Sequence, residues 1–128
     1  MTVFTLEGSP KTPIVNLNHE SGVLELKGRS IPENSIEFYK PIFDWIDQYH
    51  ANPKPETRVN IVLEYFNTSS SKCILDLFKK LETLNNGGKT KVAIHWHYEE
   101  DDEDMLEAGE DYQAIISVPF TMVVITEI

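Results

Sequence analysis

A one-sided helical stripe lies between two strand-like runs, and this arrangement constrains the fold more than any other feature of the chain. Residues 58–66 and 91–98 read as strands. Between them Cys73, Ile74, Leu77, Phe78, Leu81 and Leu84 recur at helical spacing. A strand, a helix and a second strand in that order make a crossover unit, right-handed and joining parallel strands. The helix has suitable chemistry at both ends. Asn67, Thr68, Ser69, Ser70 and Ser71 precede it, and Asn86, Gly87 and Gly88 follow it.

The same pattern extends in both directions. Residues 13–17 and 23–27 are short strand-like runs, and the five residues between them have turn composition, which predicts an antiparallel hairpin. Gly28 ends the second run. Pro32, Glu33, Asn34 and Ser35 then supply an N-cap for a helix in which Ile36, Tyr39, Phe43, Ile46 and Tyr49 recur at helical spacing, with Trp45 beside them. Pro41 removes one hydrogen bond from that helix and predicts a broken or irregular first turn. Residues 52–55, with two prolines, stop it. Further on, Met105, Leu106, Gly109 and Tyr112 predict a third, short helix, and residues 119–126 a closing strand.

The expected order is ββαβαβαβ. Strand faces decide the layering. Val59, Ile61, Leu63 and Tyr65 alternate with Asn60, Val62, Glu64 and Phe66, and Val92, Ile94, Trp96 and Tyr98 with Ala93, His95 and His97. Leu24 and Leu26 likewise oppose Val23, Glu25 and Lys27. One face is apolar and the other mixed, so the helices belong chiefly on one side. The fold expected is a two-layer α/β domain with a mixed, mostly parallel sheet. The 128 residues leave no room for a second core, so residues 1–128 make one domain with its core at about 10–126.

The formal net charge is −10, which argues against partners that present phosphate backbones or anionic lipid: no nucleic acid and no membrane. The charge is also local. Residues 99–111 hold nine of the 21 acids and no Lys or Arg, and outside them 12 acids face 11 bases. Cys73 is the only cysteine, so no intramolecular disulfide or Cys-rich zinc site can form. The amino terminus lacks a signal-peptide pattern, and no apolar run approaches the roughly 20 residues that cross a bilayer. A cytoplasmic place is expected.

Three groups of residues could carry chemistry. In the first, Asn67 or Thr68 caps the helix that follows, yet Thr68, Ser69, Ser70 and Ser71 are more hydroxyls than one cap needs. They project from the carboxyl end of a strand, where open α/β sheets carry functional groups. A phosphoryl group on Thr68 would meet free N–H donors and the positive end of the helix dipole, worth about 0.3–1 kcal/mol. Lys72, one turn on, adds a positive charge. No Gly-rich run makes this a nucleotide loop, and no flanking glycines make it a nucleophilic serine elbow.

His95 and His97 form the second group. Two apart on a strand, they share a face and could reach one metal with carboxylates from 99–104, as a small metal-binding hydrolase would require; two half-exposed histidines on a polar face are the plainer reading. The acidic run is the third. Acids in a first helical turn are favoured by the dipole, but six in succession repel one another, which leaves a docking surface for a basic partner as the alternative. Glu99, Asp101 and Asp102 would belong to it.

At these residues the chain resembles the SiaC family of small bacterial regulatory phosphoproteins. The resemblance is carried by Ser30, Ile31, Pro32, Glu33, Asn34 and Ser35, and by Tyr39 with Asp44 and Trp45. It continues through residues 63–70, through His95, Trp96, His97 and Tyr98, and through the acidic helix to Gly109, Glu110 and Asp111. The Tyr65, Phe66, Asn67, Thr68, Ser69, Ser70 block is its most specific part, and the likeness spans about residues 10–126. It implies a fold like that of anti-sigma-factor antagonists (STAS-like) and a switch with no catalytic residues and no cofactor. A partner Ser/Thr kinase, itself anti-sigma-factor-like, would phosphorylate Thr68, and a Ser/Thr phosphatase would remove the phosphate. The unmodified form would bind and activate an effector such as a diguanylate cyclase, raising cyclic di-GMP and promoting biofilm. Asn67, Thr68, Ser69, Ser70, Lys72, Glu99, Asp101 and Asp102 are the expected contacts. A generic interaction adaptor, its hydroxyl run merely a cap, is the remaining alternative.

Overall fold

The computed structural model describes residues 3–128, which form six strands and three helices. In chain order these are β1 (Phe4–Leu6), β2 (Ile14–Asn18), β3 (Val23–Ser30), α1 (Ser35–Tyr49) and β4 (Glu56–Phe66), followed by α2 (Thr68–Asn86), β5 (Lys91–Glu99), α3 (Glu103–Ile115) and β6 (Phe120–Ile125). The strands lie side by side in sequence order. β1, β2 and β3 pair antiparallel, whereas β3, β4, β5 and β6 pair parallel. The hairpin and the three crossovers are those expected. The addition is β1, a strand of only three residues that is too short to announce itself by alternation and exists because β2 offers it an edge.

Each crossover steps to the next strand in the same direction, so the three helices share one face. Register explains the layering. Leu17 opposes Leu24, which opposes Val59, which opposes Ile94, and Leu26, Ile61 and Trp96 make the next row. These side chains join Tyr39, Ile42, Ile46, Ile74, Phe78 and Leu81 of the helices in one buried cluster. Burial of each large apolar side chain stabilises the fold by about 1.5–3 kcal/mol. The opposite face carries Glu25, Lys27, Asn60, His95 and His97, and no helix of the described residues covers it.

Three details correct the sequence reading. β3 does not end at Gly28 but continues to Ser30. Gly28, at φ +125°, opposes Leu63, and then the register slips so that Arg29 opposes Tyr65. This bulge leaves Glu64 as the extra residue and reverses the alternation. Tyr65 therefore turns outward, 57% exposed, and Phe66 turns into the helix layer against Trp96. Second, Pro41 does not break α1, which runs unbroken from Ser35 to Tyr49. The carbonyl deprived of its partner is that of Glu37, an exposed residue, so water can serve it. Third, the buried stripe of α1 is Tyr39, Ile42, Trp45, Ile46 and Tyr49, while Ile36 is 78% exposed and Phe43 sits at the border.

Candidate functional site

Because β3, β4 and β5 run parallel, the helices that follow them all begin at one edge of the sheet. Each start is capped by its own side chain. Asn34 Oδ1 accepts from Glu37 N at 3.1 Å, Asn67 Oδ1 from Ser70 N at 2.9 Å, and Asp102 Oδ1 from Met105 N at 3.0 Å. α1 carries Glu37 in its first turn and α3 carries Glu103 and Asp104, whereas α2 carries no acid there. The dipole of α2 is thus the one left without a negative side chain.

The hydroxyl run at that start divides sharply. Ser70 is fully buried; it accepts a hydrogen bond from Ser30 Oγ at 2.9 Å and lies 3.3 Å from Ser35 Oγ. Ser30 in turn shares a 2.7 Å bond with the Tyr39 hydroxyl. Ser69 pairs with Ser35 Oγ at 2.7 Å and donates to Asn67 Oδ1 at 3.2 Å. Ser71 meets the Tyr112 hydroxyl at 3.2 Å, and Tyr112 donates to the Ser71 carbonyl at 2.8 Å. Asn67 N is anchored to the Ser30 carbonyl at 3.0 Å. Thr68, the first residue of α2, is different. It is exposed, and no group among the described residues hydrogen-bonds its hydroxyl. Lys72 is exposed one turn further on.

Chemistry beneath the run is that of a closed hydroxyl network. Burial pushes the Tyr39 phenol far above its ordinary value, and Tyr112 is raised for the same reason, so both act as neutral hydrogen-bonding groups. Burial, assisted by Asp76, raises the Cys73 thiol as well, which keeps it a small apolar side chain. Ser30, Ser35, Tyr39 and Tyr112 form the supporting shell, which only tertiary packing assembles. Their partners lie 9–41 residues away in the chain, so local pattern carried no signal for them.

Other expected site residues fall into place less uniformly. Glu99 ends β5, where it accepts a hydrogen bond from Ile128 N at 3.1 Å; Asp101 is exposed, and Asp102 is committed to its cap. Glu99 and residues 101–104 line an open acidic hollow on the same sheet edge as Thr68. Ser70, by contrast, has no surface to offer a partner; it supports the block from below. His95 and His97 lie on the uncovered face, and His97 Nδ1 sits 3.3 Å from the Ile61 carbonyl. Partial burial lowers the pKa of His95, and Arg58 and His97 lower it further. Among the described residues no three His, Cys, Asp or Glu side chains are placed to hold a metal ion.

The profile of the SiaC family regulatory phosphoproteins matches residues 6–125. The chain belongs to the SiaC family. A protein of Pseudomonas aeruginosa strain UCBPP-PA14 is 31% identical over 122 residues, covering 95% of this chain and 96% of its own. The solved structure of SiaC of Pseudomonas aeruginosa superposes with a TM-score of 0.89 at 30% identity, over 98% of this chain and 100% of that one. SiaC in the crystal structure of the diguanylate cyclase SiaD in complex with its activator SiaC, also from Pseudomonas aeruginosa, gives 0.89 at 30% identity, over 95% and 99% of the two chains. The family is one of regulatory phosphoproteins, and its mixed six-stranded fold is the one described above. Among the described residues no helix is long and apolar enough to cross a membrane.

Proposed function

We propose that this chain is a non-enzymatic, phosphorylation-controlled switch whose phosphoacceptor is Thr68. One observation carries the assignment. Of the four consecutive hydroxyls at the start of α2, Ser69, Ser70 and Ser71 are tied to Ser35, Ser30 and Tyr112, and among the described residues only the Thr68 hydroxyl, exposed like that of Ser69, has no hydrogen-bond partner. A kinase can reach Thr68 without dismantling the core, and its phosphate would sit at the helix start that carries no acid. The dipole favours the anion there by about 0.3–1 kcal/mol, and Lys72 adds attraction.

Phosphorylation therefore leaves the fold intact and changes the surface. A phosphate adds about −1.5 to −2 charge and considerable bulk at an edge that already holds the acidic start of α3. A Ser/Thr kinase of the anti-sigma-factor type adds this group and a Ser/Thr phosphatase removes it. The unmodified edge, with Asn67, Thr68, Ser69 and Lys72 on one side and Glu99, Asp101 and Asp102 on the other, docks an effector. A diguanylate cyclase is the effector of choice, since the Pseudomonas aeruginosa relative is the activator of one. A single regulatory domain in the cytoplasm, with its one thiol unpaired and buried, suits that role.

The decisive experiment compares Thr68→Ala and Thr68→Glu for binding to the cyclase and for its product formation. Thr68→Ala is expected to bind and activate, and Thr68→Glu to lose at least tenfold in affinity, about 1.4 kcal/mol. Equal binding by the two variants would overturn the switch. Incubation with the cognate kinase and ATP, read by intact mass and site mapping, should place one phosphate on Thr68 and none on Ser70.

A further inference from the structure

β6 forms one border of the sheet, and no described segment pairs with its outer side. On its inner side the carbonyl of Pro119 accepts from Ile94 N and that of Ile125 accepts from Glu100 N, both at 2.9 Å. Strand alternation then turns the main-chain groups of Phe120, Met122 and Val124 toward the open side. The Phe120 carbonyl is occupied, because Gln113 Nε2 donates to it at 2.8 Å. Those of Met122 and Val124 are offered outward.

Exposed borders of this kind are ordinarily blunted by shortness, by lysine, by proline within the strand or by a bulge. β1, on the opposite border, is blunted by its three residues. β6 has six residues, none charged, and an unbroken register with β5, and Val124 is 56% exposed. The helix beside it decides what can pair there. α3 packs on β5 and β6, and Gln113 marks the side of α3 that overhangs the border. Helical spacing places Leu106, Glu110 and Glu103 on that same side, both glutamates being exposed. No lysine or arginine follows Lys91 anywhere in the chain. A second copy of this chain would set those glutamates against their own equivalents, whereas a basic strand would meet them with opposite charge.

We propose that the outer edge of β6 receives an extended, Lys- or Arg-bearing segment of a partner protein, which adds a strand to the sheet. Main-chain bonds to Met122 and Val124 hold the segment, and its basic side chains on the helix side meet Glu103 and Glu110. The outer side of β6 adjoins the Thr68 edge, Glu103 also lining the acidic hollow there, but pairing at Met122 and Val124 stands without the phosphorylation reading.

The probe is a synthetic peptide of alternating valine and lysine, with an alternating valine and glutamate peptide as control, added to the unphosphorylated full chain. Amide exchange followed by NMR should show Met122 and Val124 protected about tenfold or more by the lysine peptide, with Thr121 and Val123, already bonded to β5, unchanged. Glu103→Lys with Glu110→Lys should weaken peptide binding about tenfold or more. Val124→Pro removes an outward N–H without touching the β5 ladder and should abolish binding; if that variant does not fold, the charge-reversed pair decides. Absence of protection, equal protection by the glutamate peptide, or protection that grows with protein concentration in the absence of peptide would overturn the proposal.

Discussion

At the scale of single residues, Gly109 is a position where packing leaves no room for a side chain. A methyl group there would lie 2.5 Å from Trp96 Cδ1 and 2.6 Å from Met122 Cε, so α3 can settle onto the indole only because that residue has no side chain. The same indole donates from Nε1 to the Met105 carbonyl at 2.9 Å, which fixes the helix along its length. Gly109→Ala is expected to cost about 1–3 kcal/mol by overpacking, in spite of alanine's better helix propensity. Urea unfolding followed by tryptophan fluorescence would measure it, and an unchanged midpoint would contradict the close approach. Thr68 is the opposite case. Its hydroxyl is exposed and no described residue hydrogen-bonds it, so its substitution should change stability by no more than about 0.5 kcal/mol.

At the scale of elements, α1 keeps a proline that its geometry does not require. The helix is continuous through Pro41, the neighbouring face is exposed, and the N–H that proline lacks is the one that would serve the Glu37 carbonyl. Pro41→Ala restores that bond and removes the ring's clash with the preceding turn. A stabilisation of about 1–3 kcal/mol is expected, read as a higher thermal midpoint. The bulge between β3 and β4 is an element-scale device of another kind. By skipping Glu64 it sends Phe66 into the core and delivers Asn67 to the cap of α2, with Asn67 N on the Ser30 carbonyl. A regular strand would have presented Phe66 to solvent and displaced the hydroxyl block from its supporting shell.

At the scale of the whole molecule, polar networks close the helix–sheet interface at both ends. Tyr39, Ser30, Ser70 and Ser35 lie under the functional edge, and Tyr49, Thr57 and Thr90 under the opposite one, with bonds of 2.7 and 2.8 Å. Among the described residues no buried side-chain nitrogen or oxygen lacks a partner. The first network makes a pH prediction. Burial raises the Tyr39 pKa above the ordinary 10.0, so the folded chain holds its proton where the unfolded chain releases it. The stability this contributes is complete below pH 10 and declines as pH rises beyond it. Unfolding midpoints taken between pH 8 and 11 should fall at the alkaline end, and Tyr39→Phe should lessen the slope while costing about 0.5–1.5 kcal/mol at neutral pH. A slope unaltered in Tyr39→Phe would assign the alkaline loss to other groups.

How far the sequence alone reaches follows from the range of the forces involved. The order of helices and parallel strands, the apolar face of the sheet, the capping chemistry around Asn34 and at Asn67 or Thr68, and the confinement of negative charge to residues 99–111 are local patterns and legible, whereas the cap at Asp102 is hidden among six consecutive acids. So was the identity of the hydroxyl block, through its resemblance to a family. What local pattern could not assign was which of four adjacent hydroxyls is free. That depends on Ser30, Ser35 and Tyr112 arriving from distant strands and helices to engage the other three. The inward turn of Phe66 depends in the same way on a register slip that only strand pairing creates. Periodicity and capping chemistry act over a few residues of chain and are written there; the bonds that single out Thr68 act through space, and tertiary packing alone decided them.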